Sequence, residues 1–304
     1  MTARLPPLHL LLALAVVAVW GTNFAVIKHA LDALPPLLLA ALRFLFAALP
    51  AVLVLPRPKV SWRNLAAYGV AIGVGQFGLL YLALRSSISP GLASLVVQTQ
   101  VFFTIGLATL MLGEKVRLHQ WLALALAAAG IVVIGMRAGG DTTLGGVALV
   151  LAAAFCWASG NLIGKRAGAD DMLGYVVWSS LFAVPPLFVL SLGFEGAGTI
   201  GAALRDADPS VWAAVLWQSV GNTMFCYAAW NWLLARHPAA AVAPLALLIP
   251  VFGMAASAWW LGEPMPAWKL GAAALVIGGL ALNLWWPLAA RGGLRPGARG
   301  RDCS

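Results

Sequence analysis

The sequence predicts an all-α integral membrane protein of ten transmembrane helices, arranged as two inverted five-helix repeats. Three observations lead there. Ten stretches of mostly apolar residues follow one another, each roughly 20 residues long, which is the length a helix needs to cross the hydrocarbon of a bilayer. The chain is 62% hydrophobic and only 10% charged, with a mean hydropathy of +0.91; a soluble domain carries about 25% charged residues. The second five stretches repeat landmarks of the first five in the same order. Five is odd, so the second copy enters the bilayer upside down relative to the first.

The expected spans are 8–27, 35–55, 65–84, 91–112, 118–136, 144–163, 173–192, 211–234, 239–261 and 267–286. The first is too long for a signal-peptide core, carries Trp20 and Asn23, and lacks a small-residue cleavage site, so it is read as a helix of the mature protein. The second carries Arg43 and Pro50. The third has Gly69 and Gly73 on one face, where small residues let helices approach closely. The fourth carries Gln98 and Gln100 and closes on Gly113-Glu114, and the fifth carries Gly130-Ile131. The sixth carries Trp157 and Asn161, the seventh Trp178 and Pro185, and the eighth is the most polar, with Gln218, Asn222 and Asn231. Pro244 and Pro250 interrupt the ninth, because proline removes a backbone bond and kinks a helix. The ninth closes on Gly262-Glu263 and the tenth carries Gly279-Leu280, each 149 positions after its counterpart in the first half. Trp20-Gly21-Thr22-Asn23 has a looser counterpart in Trp157-Ala158-Ser159-Gly160-Asn161, and Pro50 answers Pro185. The repeats are drawn as 8–138 and 144–288, followed by a basic tail, 289–304. Inverted repeats of this kind are the architecture of secondary transporters, whose sites lie near the midplane between the halves.

The net charge is +9, and its distribution decides what it means. With the N-terminus placed inside, segments on that side hold 13 of the 19 Lys and Arg, the other side holds five, and Arg43 lies within a span. Cytoplasmic loops are enriched in Lys and Arg, so both termini are expected in the cytoplasm. The tail is then an orientation signal or a contact with anionic lipid. No basic-aromatic binding fold accompanies it, and no nucleic-acid partner is expected. Trp62, Trp121, Trp212 and Trp268 fall near span ends, the headgroup level that amphipathic rings prefer.

At this point the chain resembles the EamA branch of the drug/metabolite transporter superfamily. The resemblance rests on Val19-Trp20-Gly21 with Asn23-Phe24, Pro35-Pro36-Leu37, Arg43-Phe44, Ala93-Ser94-Leu95-Val96, Gln98 with Gln100, Phe102-Phe103-Thr104-Ile105, Trp157-Ala158, Gly160-Asn161 and Ala243-Pro244-Leu245. Within that branch these segments are similar to the bacterial O-acetylserine/cysteine exporters. The resemblance implies ten helices in two inverted repeats, a bacterial inner-membrane location, a small amino-acid-like substrate, and export by alternating access; the alternative cargo is an aromatic or branched amino acid or a related neutral metabolite. Gln218, Asn222 and Asn231 are more polar than the resemblance leads one to expect, so a pocket they lined would take a different substrate.

Polar groups inside lipid are costly unless they face the bundle or a cavity, which makes them candidates by default. Arg43 lies eight residues into its span, about 12 Å deep at 1.5 Å per residue. Its charged fork suits a carboxylate; it either recognises one or ties backbone carbonyls and helix ends together. Asn23 and Asn161 occupy matching places in the two repeats and are expected to meet near the axis. Gln98 and Gln100 are two apart, so a regular helix points them in different directions and only one lines the path. Trp157 and Trp178 are pocket walls or ordinary packing, and Asn222 completes the candidate substrate-binding set. No Asp or Glu lies deep in any span, so a cation exporter built on a buried glutamate is disfavoured and facilitated export is the simpler mechanism. Glu114 and Glu263 are expected as caps or anchors at helix ends. Cys156, Cys226 and Cys303 are scattered, no His-Glu-x-x-His pair occurs, and no acidic pair sits within a span, so no catalytic residue, metal or cofactor is expected.

Overall fold

The computed structural model describes residues 5–112, 116–137, 139–140, 142–168 and 171–292. The Gly113-Glu114 landmark and the tail beyond Gly292 lie outside the described residues. Nine helices among those described are long and apolar enough to cross a membrane: α1 (Pro7–Ala33), α2 (Pro36–Val54), α3 (Trp62–Ser86), α4 (Pro90–Met111), α5 (Leu118–Met136), α6 (Leu144–Ala167), α7 (Met172–Phe194), and, after two further elements, Ala243–Leu261 and Ala267–Leu284. Those two further elements are α8 (Ala197–Asp206), a short helix inside the one long connection, and α9, a helical run over residues 209–236. Gln218, Asn222 and Asn231 make α9 more polar than the nine. The last two helices are α10 and α11. The described residues contain no strand, only an isolated bridge between Gly139 and Thr142.

The helix starts follow from the chain. Proline opens α1, α2, α4 and α9 at positions where its missing N–H costs nothing. Side chains of Ser61, Thr143, Asp171 and Asp208 accept the orphan N–H groups that begin α3, α6, α7 and α9. Gly168 and Gly262 end α6 and α10 in the left-handed conformation that glycine adopts freely. The first helix runs six residues past its expected end at Ile27. Lys28 and Asp32 carry it on as an i,i+4 pair at 3.5 Å, while Lys28 Nζ also donates to the Arg85 carbonyl.

Packing between the two halves has a regular form. α1 packs on α10 and α6 packs on α4; α3 packs on α6 and α9 packs on α1; α2 pairs with α7, and α5 pairs with α11. The backbone irregularities recur as well. A nine-residue π-helical stretch, Val70–Gly78, lies within α3, and another, Trp217–Phe225, lies within α9, 147 positions later. A 3₁₀ turn, Val97–Thr99, breaks α4, and a longer one, Ala243–Leu248, opens α10 between Pro244 and Pro250.

Two carboxylates bind the halves together at the end of the bundle where α1 stops. Glu195, just past α7, accepts the N–H groups of Leu37 and Leu38 at the start of α2. Glu263, just past α10, accepts the Gly91 N–H at 3.0 Å, the Ser89 and Ser257 hydroxyls, and the Lys269 ammonium at 2.7 Å. Both negative charges therefore sit on helix N-termini, which favour them. Burial alone would raise the Glu263 carboxyl, but Lys269, the two hydroxyls and the Gly91 N–H outweigh it and hold it below its ordinary 4.5. A carboxylate depressed in the folded state contributes fully above that value, and its contribution is lost as pH falls through the lower folded value. The solubilised protein is expected to lose thermal stability on acidification below pH 4.5. Glu263→Gln removes that component and strands Lys269 without its partner, a cost of about 3–5 kcal/mol. An acid profile unchanged in the variant contradicts this assignment.

Candidate functional site

A cavity of about 440 Å³ lies between the halves, within the roughly 300–1,000 Å³ range of small-molecule sites. Asn23, Arg43, Gln98, Gln100, Trp157, Asn161 and Asn222 all line it. The wall reaches Met172, the first residue of α7, and Leu284 near the end of α11. The Glu195 bridge lies at the opposite end of α7, so the cavity reaches toward the end of the bundle away from the carboxylate ties.

Trp178 is not part of this wall, although it was a candidate. Its indole N–H donates to the Leu55 carbonyl at 3.2 Å, and its ring packs beside Trp62, 6.0 Å between centroids. It ties the start of α7 to the end of α2.

Arg43 is 1% exposed and is the centre of the site. Its Nη1 donates to Tyr81 Oη on α3 at 3.0 Å, and its Nη2 donates to Asn222 Oδ1 and Thr223 Oγ1 on α9 at 2.9 and 3.1 Å. The guanidinium carbon lies 3.8 Å from the centre of the Phe77 ring, a cation–π contact that gains strength when both groups are dry. Tyr81 passes the network on to Gln218, and Ser219 Oγ donates to the Arg43 carbonyl. These partners are neutral, so the positive charge is not cancelled by a carboxylate among the described contacts.

The π stretch in α9 makes this possible. An i to i+5 winding places residues 218, 219, 222 and 223 on one face, and the Thr223 hydroxyl bonds back five residues to the Gln218 carbonyl at 2.9 Å. Gln218, Ser219, Asn222 and Thr223 are all buried. Two of the three polar residues that depart from the resemblance, Gln218 and Asn222, therefore serve the Arg43 network. Asn222 also lines the cavity, whereas Gln218 does not.

The expectation that only one of Gln98 and Gln100 lines the path is corrected: both do. The 3₁₀ turn Val97–Thr99 changes the winding between them, so two residues that a regular helix would separate share a wall. Asn23 and Asn161 line the same cavity from α1 and α6. Asn161 Nδ2 donates to Gln100 Oε1 at 2.9 Å, fixing that amide pair. Asn23 is 4% exposed, and its Oδ1 has no partner.

Sequence reasoning missed the polar wall residues Tyr68, Gln76, Tyr227 and Asn283, whereas Trp20 and Trp230, tryptophans inside spans and so either packing or pocket walls, do line the cavity. Trp20 and Trp230 meet at a tilt, 5.2 Å between centroids, and Tyr227 meets Trp20 edge-on at 6.0 Å, forming an aromatic side to the cavity. An intramembrane tryptophan marks such a wall in the sequence, but it marks ordinary packing equally. The site thus offers one buried cation, several amides, and broad aromatic and apolar surfaces. It suits a small solute with an anionic group and an uncharged remainder.

Known proteins are similar to this chain along most of its length. The EamA-like transporter family profile matches residues 7–136 and again 144–285. A Salmonella typhimurium protein named "probable amino-acid metabolite efflux pump" is 40% identical over 280 residues, covering 90% of this chain and 94% of its own length. An Escherichia coli K12 protein of the same name is 39% identical over 280 residues, with the same coverage. An uncharacterized transporter of Archaeoglobus fulgidus is 26% identical over 275 residues, covering 87% of this chain and 94% of its own. One crystal structure superimposes with a TM-score of 0.62 over 90% of this chain and 97% of the other, at 20% identity, and so shares the fold.

Proposed function

This chain belongs to the EamA-like transporter family, and from that membership we propose that it exports small amino-acid-like metabolites of the O-acetylserine/cysteine kind across the bacterial inner membrane. The observation that carries the proposal is the cavity between the halves with Arg43 in its wall, a buried guanidinium held by neutral groups. A fixed positive charge in a dry site attracts a carboxylate, and the surrounding wall accepts an uncharged side chain. The efflux pumps at 39% and 40% identity point to the same cargo class.

The mechanism that fits is alternating access by two inverted five-helix repeats, 8–138 and 144–288, with α9 as the remaining span. The reciprocal helix pairing and the π and 3₁₀ stretches that recur between the halves support a pseudo-twofold axis in the membrane plane. The carboxylate ties at one end and the cavity reaching toward the other correspond to one of the two states. With both termini cytoplasmic, as the Lys and Arg distribution indicates, that state takes up cargo from the cytoplasm. Release then requires the Glu195 and Glu263 ties to part.

The aromatic side formed by Trp20, Tyr227 and Trp230 favours one second reading, an exporter of aromatic amino acids. Sensitivity of a host cell to excess cysteine and to aromatic amino acids, with and without this chain, separates the two. Protection against cysteine supports the first reading. Protection against aromatic amino acids alone replaces it with the second, and protection against neither removes both.

A further inference from the structure

A second cavity, of about 390 Å³, lies at the end of the bundle where α1 stops, and it shares no wall residue with the central one. Its volume also falls within the roughly 300–1,000 Å³ range of small-molecule sites. Both halves build it. Lys28 and Asp32 of α1 and residues around the turn from α3 to α4 form one side, and Ser257 with the corner 262–264 after α10 forms the other.

The charged groups of this wall differ in what they have left to offer. Glu263 is saturated, since its two oxygens already accept from Ser89, Gly91, Ser257 and Lys269. Lys28 and Asp32 are not. Lys28 Nζ donates to the Arg85 carbonyl at 3.1 Å and faces Asp32 at 3.5 Å, which engages two of its three N–H groups. The Asp32 carboxylate has no other partner among the described residues, although its two oxygens accept about four hydrogen bonds. The two side chains are 29% and 66% exposed, so a solute in the cavity reaches both.

A spare donor on a cation and spare acceptors on an anion, 3.5 Å apart, call for a ligand with both signs of charge close together. A zwitterionic α-amino acid carries its carboxylate and its ammonium on one carbon, so both groups meet the pair at once. A plain cation would be opposed by Lys28, and a plain anion by Asp32 and Glu263. Leu84, Ile88 and Leu261 supply apolar surface for the side chain.

The place of the cavity gives its occupation a consequence. Its walls stand on both sides of the Glu263 tie, Ser89 in the first half and Ser257 and Glu263 in the second. Opening this end of the bundle parts those walls and abolishes the cavity. A ligand that binds one state alone shifts the population toward it. We propose that this cavity binds zwitterionic α-amino acids and that its occupation holds this end of the bundle shut. With both termini cytoplasmic this is the outer end, so cargo that accumulates outside slows its own export. The identity of the occupant with the cargo rests on the exporter reading; the amino-acid site itself does not.

The test is protection from an impermeant thiol reagent added outside cells. Ser86, an exposed wall residue, is replaced by cysteine in a background without Cys156, Cys226 and Cys303. The probe is external S-methyl-L-cysteine. At ten times its dissociation constant the empty fraction, and with it the labelling rate of Ser86→Cys, is expected to fall about tenfold. Lys28→Met and Asp32→Asn, each added to Ser86→Cys, are expected to lose that protection. 3-(Methylthio)propionate and 2-(methylthio)ethylamine, which lack one charge each, are expected not to protect. Arg43→Ala is expected to keep the protection in full, because its residue belongs to the central cavity. No protection in Ser86→Cys itself, undiminished protection in both charge variants, equal protection by either single-charge probe, or loss of protection in Arg43→Ala overturns the proposal. Each of those results leaves the exporter reading standing, which falls instead if host cells gain no protection against any amino acid.

Discussion

Arg43→Ala is expected to reach the membrane in normal amount and to export at least tenfold more slowly. The guanidinium is the only charge found among the wall residues of the cavity, and a charge-assisted hydrogen bond contributes about 1.5–3 kcal/mol, or roughly ten- to a hundredfold in binding. The fold outlasts the loss because two neighbouring ties do not use the side chain. Tyr81 still donates to Gln218, and Ser219 still donates to the backbone carbonyl of residue 43. Arg43→Lys keeps the charge but not the fork that reaches α3 and α9 together, and it is expected to fall between alanine and the native protein. Efflux rate measured beside the amount of protein in the membrane checks the prediction. Full activity in Arg43→Ala removes the residue from the site, and loss of the protein itself makes its role structural.

Gly279→Val is expected to lower the amount and the thermal stability of the folded protein. A Cβ at Gly279 would stand 2.5 Å from the Ala123 carbonyl oxygen of α5. The contact is answered from the other side, where a Cβ at Gly130 would stand 2.7 Å from Val276 and 3.0 Å from the Ala272 carbonyl of α11. Backbone oxygens cannot move aside as a flexible side chain would, so α5 and α11 must separate. Overpacking of this kind costs about 1–3 kcal/mol, and close approach through small residues is a main source of helix association in lipid. Gly278→Val is the control, because nothing lies within 4 Å of a Cβ there. Equal stability of the two variants contradicts the account of this interface.

Arg43 stands out in the sequence because a charge in an apolar run is expensive and has to serve something. Its surroundings do not stand out. The π stretches of α3 and α9, VAIGVGQFG and WQSVGNTMF, share no residue at matching places, so their recurrence is carried by backbone winding that hydropathy does not register. The same blindness put Gln98 and Gln100 on different faces, since a regular helix was assumed where a 3₁₀ turn lies. Trp178 reads like Trp157 in an apolar run, and only the Leu55 carbonyl beside it reveals its different task. Asn283 was passed over because it lies one turn from the expected end of the last span, where a polar residue needs no special reason. Glu263 was legible as an anchor from its place beside Gly262, but its hold on Ser89 and Gly91, far away in the chain, was not.

The relation between the halves is tested most directly by impermeant thiol labelling of two corners in a background without Cys156, Cys226 and Cys303. Cysteines are placed one at a time at Arg117, after α4, and at Pro264, after α10. Inverted repeats predict that Arg117→Cys is labelled from the cytoplasmic side alone and Pro264→Cys from the outer side alone. Labelling of both corners from the same side contradicts the inversion, and with it the alternating exposure of the cavity.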